Sequence, residues 1–132
     1  MLCMPLKLAD DIIDHAYEGF PLEVCGILGG RGGVVSSLFR MTNTDQSKEH
    51  FMMDPAEQFA VIKRMRSEGL EMLAIYHSHP ASPARPSAED IRLALTPNVS
   101  YVIVSLEEAN SPVLKSFRCF DGRIETEKVE YL

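Results

Sequence analysis

Cysteine, tryptophan and clustered basic residues are scarce in this chain of 132 residues. It contains no Trp and three cysteines, Cys3, Cys25 and Cys119, and no two cysteines stand at the CxxC spacing. An odd set without that spacing argues against a disulfide framework and against a cysteine-rich structural metal site. We therefore expect reduced thiols, with Cys25 packed as a small apolar side chain.

An excess of basic charge is also missing. The chain has 13 Lys and Arg residues against 19 Asp and Glu residues, and its formal net charge is −6. Proteins that bind the phosphate backbone need clustered Lys and Arg, so we expect no nucleic-acid partner. A protein or peptide partner agrees better with this balance.

Long hydrophobic runs are absent too. No apolar stretch approaches the ~20 residues of a membrane span, so we expect no membrane partner. The first eight residues are too short for a signal peptide and are followed at once by Asp10 and Asp11, which predicts a cytoplasmic protein. A chain of this length predicts a single domain over residues 1–132 that buries about two thirds of its unfolded surface.

Strand and helix patterns alternate through the middle of the chain, and a run of strands closes it. This order predicts an α/β fold, a mixed β-sheet flanked by helices with an antiparallel margin. The patterns predict helices over residues 8–20, 54–69 and 87–95, and strands over residues 22–28, 34–41, 72–79, 99–106, 113–120 and 123–131.

Two histidines end the predicted strand over residues 72–79. His77 and His79 stand two residues apart, so their rings project to the same face of the sheet. Asp90 follows a proline-rich bend, at the start of a helical pattern that can return to the strand end. Two His and one carboxylate, with a fourth position open to water, is the ligand composition of hydrolytic zinc sites. The spacing predicts a catalytic zinc site at the carboxyl end of this strand, where open sheets bind ligands.

Ser87 and Asp90 have a second interpretation that needs no metal. A Ser followed three residues later by an acidic side chain resembles a capping box, which satisfies free amides at a helix start. Capping leaves His77 and His79 unexplained, and the two roles are compatible, because a capped helix could hold Asp90 rigid beside an ion.

Hydrolysis of a peptide bond also needs a group that takes a proton from water and delivers it to the leaving amine. Glu23 is the candidate, because a carboxylate inside the apolar segment 22–28 is costly unless it has a partner or a catalytic role. The alternative is a Glu at the strand edge that points to solvent or pairs with an Arg. The sequence alone favours neither of these two interpretations over the other.

The joint pattern resembles the JAMM (MPN+) metallopeptidase family. It consists of His77-Ser-His79-Pro, Ser87 and Asp90, with an upstream Pro-x-Glu-x-Cys-Gly-x-Leu segment around Glu23. The resemblance covers almost the whole chain and implies a fold related to cytidine deaminases. It also implies that His77, His79 and Asp90 bind one zinc ion, Glu23 acts as general base and acid, and Ser87 donates to the oxyanion.

The chain is close to the minimal domain of that family and lacks long insertions. Compact members with this form are associated with ubiquitin-like or sulfur-carrier proteins, so the resemblance implies cleavage after a C-terminal Gly-Gly tail. We expect such a tail to lie as an extended strand near residues 43–53. Two alternatives remain: a non-catalytic MPN-type interaction scaffold, and a RadC-like relative linked to DNA.

Overall fold

The computed structural model describes all residues from 1 to 132. It contains three helices and eight strands that form one mixed sheet. In chain order they are β1 (Leu2–Met4), α1 (Leu6–Gly19), β2 (Cys25–Arg31), β3 (Val34–Met41), α2 (Pro55–Ser67), β4 (Glu71–His79), α3 (Ala88–Leu93), β5 (Ser100–Ser105), β6 (Val113–Phe120), β7 (Arg123–Glu127) and β8 (Val129–Tyr131). The predicted α/β class, a mixed sheet flanked by helices, is confirmed.

The strand order across the sheet is β7-β6-β5-β4-β2-β3-β1-β8. The adjacent strands β4 and β5 run parallel, whereas β2 pairs antiparallel with both β3 and β4. The predicted antiparallel margin is the meander β5-β6-β7. The candidate histidines therefore end a strand that has neighbours on both sides.

Alternation along β4 divides its side chains between two cores. Ala74 and Tyr76 face α1, where they pack with the buried Ile12 and Ala16 of that helix. Ile75 belongs to a second core on the other face, beneath Met65 of α2. Because His77 and His79 continue the alternation from Ile75, both rings lie on the α2 side of the sheet.

Helix α2 begins where the sequence predicts. The side chain of Asp54 accepts a hydrogen bond from the backbone N–H of Ala56, at 2.8 Å, and Pro55 occupies the first helical position. This cap satisfies an amide that the helix itself leaves free. The helix thus starts immediately after the loop that crosses in front of the candidate site.

The last two strands of the chain, β7 and β8, form the two opposite edges of the sheet. A single residue, Lys128, separates β7 from β8. β7 pairs with β6 at one edge, while β8 pairs parallel with β1 at the other. The prediction of one strand over residues 123–131 missed this split and missed β1, because three-residue strands carry too little periodicity to detect.

The first part of the predicted strand 22–28 is not a strand. The Glu23 N–H donates to the carbonyl of Ser47, and the Val24 N–H donates to the Ser78 hydroxyl, so the ladder begins only at Cys25. Glu23 lies in the connection before β2 rather than inside a strand.

Helix α3 is shorter than predicted and ends at Leu93 rather than near Leu95. None of the three helices is long and apolar enough to cross a membrane.

Candidate metal centre

The carboxyl end of β4 supplies two imidazoles to one point on the α2 side of the sheet. The Nε2 atoms of His77 and His79 lie 3.1 Å apart. Both side chains are almost fully buried, with 3% and 4% of their surfaces exposed. The predicted convergence of the two rings on one face is confirmed.

Helix α3 brings the carboxylate to the same point. Asp90 Oδ2 lies 3.1 Å from His77 Nε2 and 3.0 Å from His79 Nε2. The capping box is also present, because the Asp90 N–H donates to Ser87 Oγ at 3.0 Å and the Ser87 N–H donates to Asp90 Oδ2 at 2.9 Å. Capping and convergence therefore coexist, and the cap fixes the carboxylate beside the imidazoles.

The three atoms form a nearly equilateral triangle with sides of 3.0 to 3.1 Å. A tetrahedral zinc ion with bonds of about 2.0–2.1 Å to N and O places its ligand atoms about 3.3 Å apart. A modest expansion of the triangle would bring these three ligand atoms to the spacing that such an ion requires. His77, His79 and Asp90 thus form a group of metal-ligating type.

Hydrogen bonding also prepares His79 for a cation. Its Nδ1 donates to the carbonyl of Pro83 at 2.8 Å, in the loop between β4 and α3. In the neutral ring this leaves Nε2 as an acceptor, facing the acceptor oxygen of Asp90. Two acceptors at this separation repel each other unless a proton or a metal ion lies between them.

The ring of His77 is held differently. Its Nδ1 is buried without a protein hydrogen-bond partner. Phe51 lies against the ring, with the ring centroids 4.7 Å apart and the planes inclined by 29°. The His77 ring is therefore oriented by aromatic packing, whereas the His79 ring is oriented by a hydrogen bond to a carbonyl.

The surroundings set the protonation of the three groups. Burial lowers the pKa of His77, against the opposing effect of Asp90. Burial also acts to lower the pKa of His79, but its hydrogen bonds to Asp90 and Pro83 outweigh burial and raise it. Burial would raise the pKa of the Asp90 carboxyl, yet hydrogen bonds from both imidazoles and the Ser87 amide hold it well below its usual range. Asp90 is therefore an anion throughout the physiological pH range.

Glu23 lies near this group with 4% of its surface exposed. Its Oε1 has no hydrogen-bond partner in the protein. Burial raises its pKa to about 8, although the nearby His79 pulls the value down. A buried carboxyl without a structural partner and with a pKa near neutrality has the properties of a catalytic acid and base. The alternative that Glu23 points to solvent or pairs with an Arg is not supported by these contacts.

Two further residues hold Glu23 beside β4. Ser78, between the two histidines, accepts from the Val24 N–H at 2.8 Å, and its own N–H donates to the Val24 carbonyl. The Asn43 side-chain amide donates to the Glu23 carbonyl at 3.0 Å and to the His50 carbonyl at 3.1 Å. Neither residue was predicted to have this role, and the position of Ser78 between two predicted ligands was the available signal.

A cleft of about 240 Å³ opens beside the triad. Its floor contains two neighbouring rungs of the sheet, the pairs Ile75–Tyr101 and His77–Ile103. Residues 50–53 and residues 93, 94 and 96 also line it. Asp90 borders the cleft, so the cleft and the triad are continuous.

Residues 5–120 match the family model described as prokaryotic homologs of the JAB domain. The match covers most of the chain, and this protein belongs to that family. The JAMM-type resemblance seen in the sequence is therefore confirmed.

Curated relatives include the CysO-cysteine peptidase of Mycobacterium tuberculosis (strain ATCC 25618 / H37Rv). It is 34% identical over 131 residues, which cover 98% of this chain and 90% of the relative. The desampylase of Haloferax volcanii is 34% identical over 111 residues, which cover 79% of this chain and 80% of that protein. By their names these relatives are a peptidase that acts on CysO-cysteine and a desampylase.

Solved structures share the fold. The solution structure of a Desulfitobacterium hafniense protein matches with a TM-score of 0.91 and 45% identity, over 100% of this chain and 93% of that chain. The crystal structure of a JAB1/MPN domain protein from Archaeoglobus fulgidus matches with a TM-score of 0.67 and 22% identity, over 99% of this chain and 97% of that chain. The second likeness concerns the fold alone.

Proposed function

We propose that this protein is a zinc-dependent hydrolase that cleaves a peptide or isopeptide bond after the Gly-Gly tail of a ubiquitin-like or sulfur-carrier protein. The observation that carries the proposal is the convergence of His77 Nε2, His79 Nε2 and Asp90 Oδ2 within 3.1 Å of one another. The unpartnered, buried Glu23 beside them adds the group that proton transfer requires.

His77, His79 and Asp90 are the proposed zinc ligands. Two imidazoles and one carboxylate leave a fourth position of a tetrahedral ion open, as in catalytic zinc sites. When bound there, zinc supplies Lewis acidity, lowering the pKa of water to about 7 and polarising a carbonyl. The chain's contribution is to hold three ligand atoms in place through Pro83, Phe51 and the Ser87 cap.

Glu23 is the proposed general base and then the general acid. Its low exposure and missing partner leave its carboxyl free to take a proton from the attacking water and pass it to the leaving amine. The bonds that Ser78 makes with Val24 keep the connection that carries Glu23 against β4. This attachment supports a fixed distance between the base and the metal ligands.

Ser87 is the proposed donor to the carbonyl oxygen of the scissile bond as that oxygen gains charge. Its Oγ already accepts from the Asp90 N–H, so its hydroxyl hydrogen remains available to donate. One such donor contributes ~3–4 kcal/mol to the barrier in other hydrolases. Ser87 thus has two proposed tasks, capping α3 and stabilising the oxyanion.

The substrate class rests on the relatives and on the compact chain. A CysO-cysteine peptidase and a desampylase both match most of their own length. The proposed path of the tail runs as an extended strand beside residues 43–53, where Asn43 and Met53 form a single antiparallel bridge. Backbone bonds of this kind suit a tail without side chains.

We also propose that residues 1–132 act as one catalytic domain in the cytoplasm. One sheet connects all eight strands, and the three cysteines are free, as expected in a reducing compartment. A non-catalytic scaffold would have no use for a buried carboxyl without a partner, and no observation favours a DNA-linked role.

The test uses the zinc-loaded protein and a ubiquitin-like carrier from the same genome, extended beyond its terminal Gly-Gly. Mass spectrometry should detect carrier ending in Gly-Gly, and replacement of both glycines by alanine should abolish turnover. Glu23→Gln should bind zinc without cleaving. If the alanine-substituted carrier were cleaved as fast as the Gly-Gly carrier, the proposed tail specificity would be wrong.

A further inference from the structure

The carboxyl group of Glu23 is positioned through its backbone. The side chain is buried, and its Oε1 has no hydrogen-bond partner in the protein, so no bond at that atom holds it. Next to it, the N–H and the carbonyl of Val24 both bond to Ser78 of β4, at 2.8 and 3.0 Å. The Glu23 N–H donates instead to the Ser47 carbonyl at 2.8 Å, in the loop over residues 43–53. The proposed base therefore lies between the strand of the two histidines and the loop proposed to bind the tail.

The Glu23 carbonyl also bonds to this loop, through the side-chain amide of Asn43. The Nδ2 of Asn43 donates to that carbonyl at 3.0 Å and to the His50 carbonyl at 3.1 Å. Its Oδ1 accepts from the N–H groups of Asp45 and Met52, at 3.0 and 3.1 Å. Because two carbonyls face the nitrogen and two N–H groups face the oxygen, the orientation of the amide is unambiguous and its hydrogen-bonding capacity is fully used.

The two ends of the Asn43 amide have separate effects. The oxygen closes the loop on itself, since both of its donors belong to the loop. The nitrogen reaches out of the loop to the connection before β2, where it meets the Glu23 carbonyl. A carboxyl group without a partner at Oε1 follows any movement of its own backbone, and a misplacement of about 1 Å at a reacting group can lower a rate about 10²-fold. The nitrogen is therefore the end of the amide that affects proton transfer.

We propose that Asn43 is a positioning residue for the general base, and that it acts through the bond from its Nδ2 to the Glu23 carbonyl. The loop over residues 43–53 then serves catalysis as well as docking of the tail. The inference rests on the proposed function and adds a residue to it. Loss of this bond should lower kcat about 10- to 100-fold and change the affinity for the carrier less than about threefold. A residue that only docked the tail would show the reverse.

The experiment measures kcat of the zinc-loaded protein with the carrier extended beyond Gly-Gly. Asn43→Asp keeps an oxygen for the two N–H groups of the loop but has no N–H to donate, so kcat should fall. Asn43→Ser tests the same loss without a charge, because its hydroxyl can still accept from the Asp45 N–H. Thr42→Val is the matched control, since Thr42 Oγ1 donates to Glu57 Oε2 at 2.7 Å and anchors the same segment to α2. It removes no bond to Glu23 and should keep the wild-type kcat.

Affinity for the uncleaved carrier is measured in Glu23→Gln with and without Asn43→Asp, and the two dissociation constants should agree within about threefold. Thermal unfolding and zinc content check that each variant is folded and loaded. Wild-type kcat in both Asn43 variants would overturn the inference but leave the proposed function standing. Weaker carrier binding without a fall in kcat would overturn it too and assign Asn43 to docking, and loss of zinc would place its effect at the metal centre instead. Failure of the wild type to cleave any carrier would overturn the proposed function and the inference together.

Discussion

The ring of Phe51 stacks on the ring of His77, with the centroids 4.7 Å apart and the planes inclined by 29°. This contact joins the loop over residues 43–53 to the metal centre. His77 has no protein acceptor for its Nδ1, whereas the corresponding atom of His79 donates to Pro83. Phe51 therefore restricts rotation of the His77 ring from one face, where no hydrogen bond to Nδ1 does so.

Phe51→Ala is expected to weaken zinc binding. Loss of a group that orients a metal-bound imidazole typically lowers metal affinity about 10- to 100-fold. Competition with a chromophoric chelator measures this affinity directly, and Phe51→Tyr should retain it because the ring remains. Phe59→Ala is the control, since Phe59 is 71% exposed on α2. Unchanged affinity in Phe51→Ala would show that β4 alone fixes the ring.

Asp90→Asn should abolish or strongly weaken zinc retention. The amide keeps a side-chain oxygen for the Ser87 N–H, so the capping box can persist, but the anionic ligand is lost. Elemental analysis after dialysis without chelator should find about one zinc per wild-type chain and far less in the variant. Glu89→Gln removes the neighbouring carboxylate and should retain the metal. Full zinc content in Asp90→Asn would remove Asp90 from the ligand set.

Much of the site could be predicted because its geometry is local. Residues two apart on a strand share a face, which placed His77 and His79 together. A capping box fixes the first turn of a helix, which placed the Asp90 carboxylate relative to Ser87. The strand Val34–Met41 was likewise predicted with its observed bounds, because clear turns flank it.

The remaining features depend on contacts between distant parts of the chain. Nothing near Phe51 in sequence indicates that it packs on His77, 26 residues later. Glu23 was predicted within a strand because its neighbours are apolar, but Ser47 and Ser78 take the bonds that a ladder would need. Strand β1 pairs with β3 and with β8, and β8 pairs with β1 from the other end of the chain.

Ser87→Gly should separate capping from catalysis. Glycine at a helix N-cap costs only a few tenths of a kcal/mol, whereas alanine costs about 1 kcal/mol. Loss of the hydroxyl should nevertheless lower kcat by about 10²–10³ if Ser87 donates to the oxyanion. Thermal unfolding and steady-state kinetics of the Gly and Ala variants measure the two effects. Near wild-type kcat in a stable Ser87→Gly protein would leave Ser87 with the capping role alone.

His15 should make the fold sensitive to acid. Its Nδ1 lies 2.7 Å from the hydroxyl of the buried Tyr76. Burial, aided by the charge of Arg40, lowers the pKa of His15 to about 4 from 6.5. The unfolded chain therefore binds the extra proton first, and stability is lost as the pH falls from 6.5 towards 4.

In His15→Gln the acid-induced decrease in the free energy of unfolding should be smaller than in the wild type by roughly 1–3 kcal/mol. The difference is limited because the ring is only half-buried. Urea unfolding of the metal-free protein at pH 7 and pH 5 measures the difference. His50→Gln, at an imidazole paired with Asp45 at the surface, is the matched control. An unchanged slope in His15→Gln would assign the acid sensitivity to other groups.

Glu23→Gln should abolish turnover while it leaves the metal ligands in place. The amide has nearly the shape of the carboxyl but cannot take a proton from water. General acid–base catalysis contributes about 10²–10⁴ to rates, so kcat should fall by at least that range. Zinc content equal to that of the wild type would separate this loss from a damaged metal site. Substantial turnover in the variant would assign the proton transfer to another group.

The same substitution should stabilise the metal-free protein at higher pH. Burial raises the pKa of Glu23 to about 8 from 4.5, so the unfolded chain ionises first as the pH rises. The folded state then binds more protons, and wild-type stability falls between pH 4.5 and 8, by at most about 5 kcal/mol. Glu23→Gln lacks this titration, so its unfolding free energy relative to wild type should increase from pH 5 to pH 8. Glu107→Gln, at an exposed carboxylate, is the control and should follow the wild type. Parallel stability curves for Glu23→Gln and wild type would mean that the folded protein ionises Glu23 as readily as the unfolded chain does.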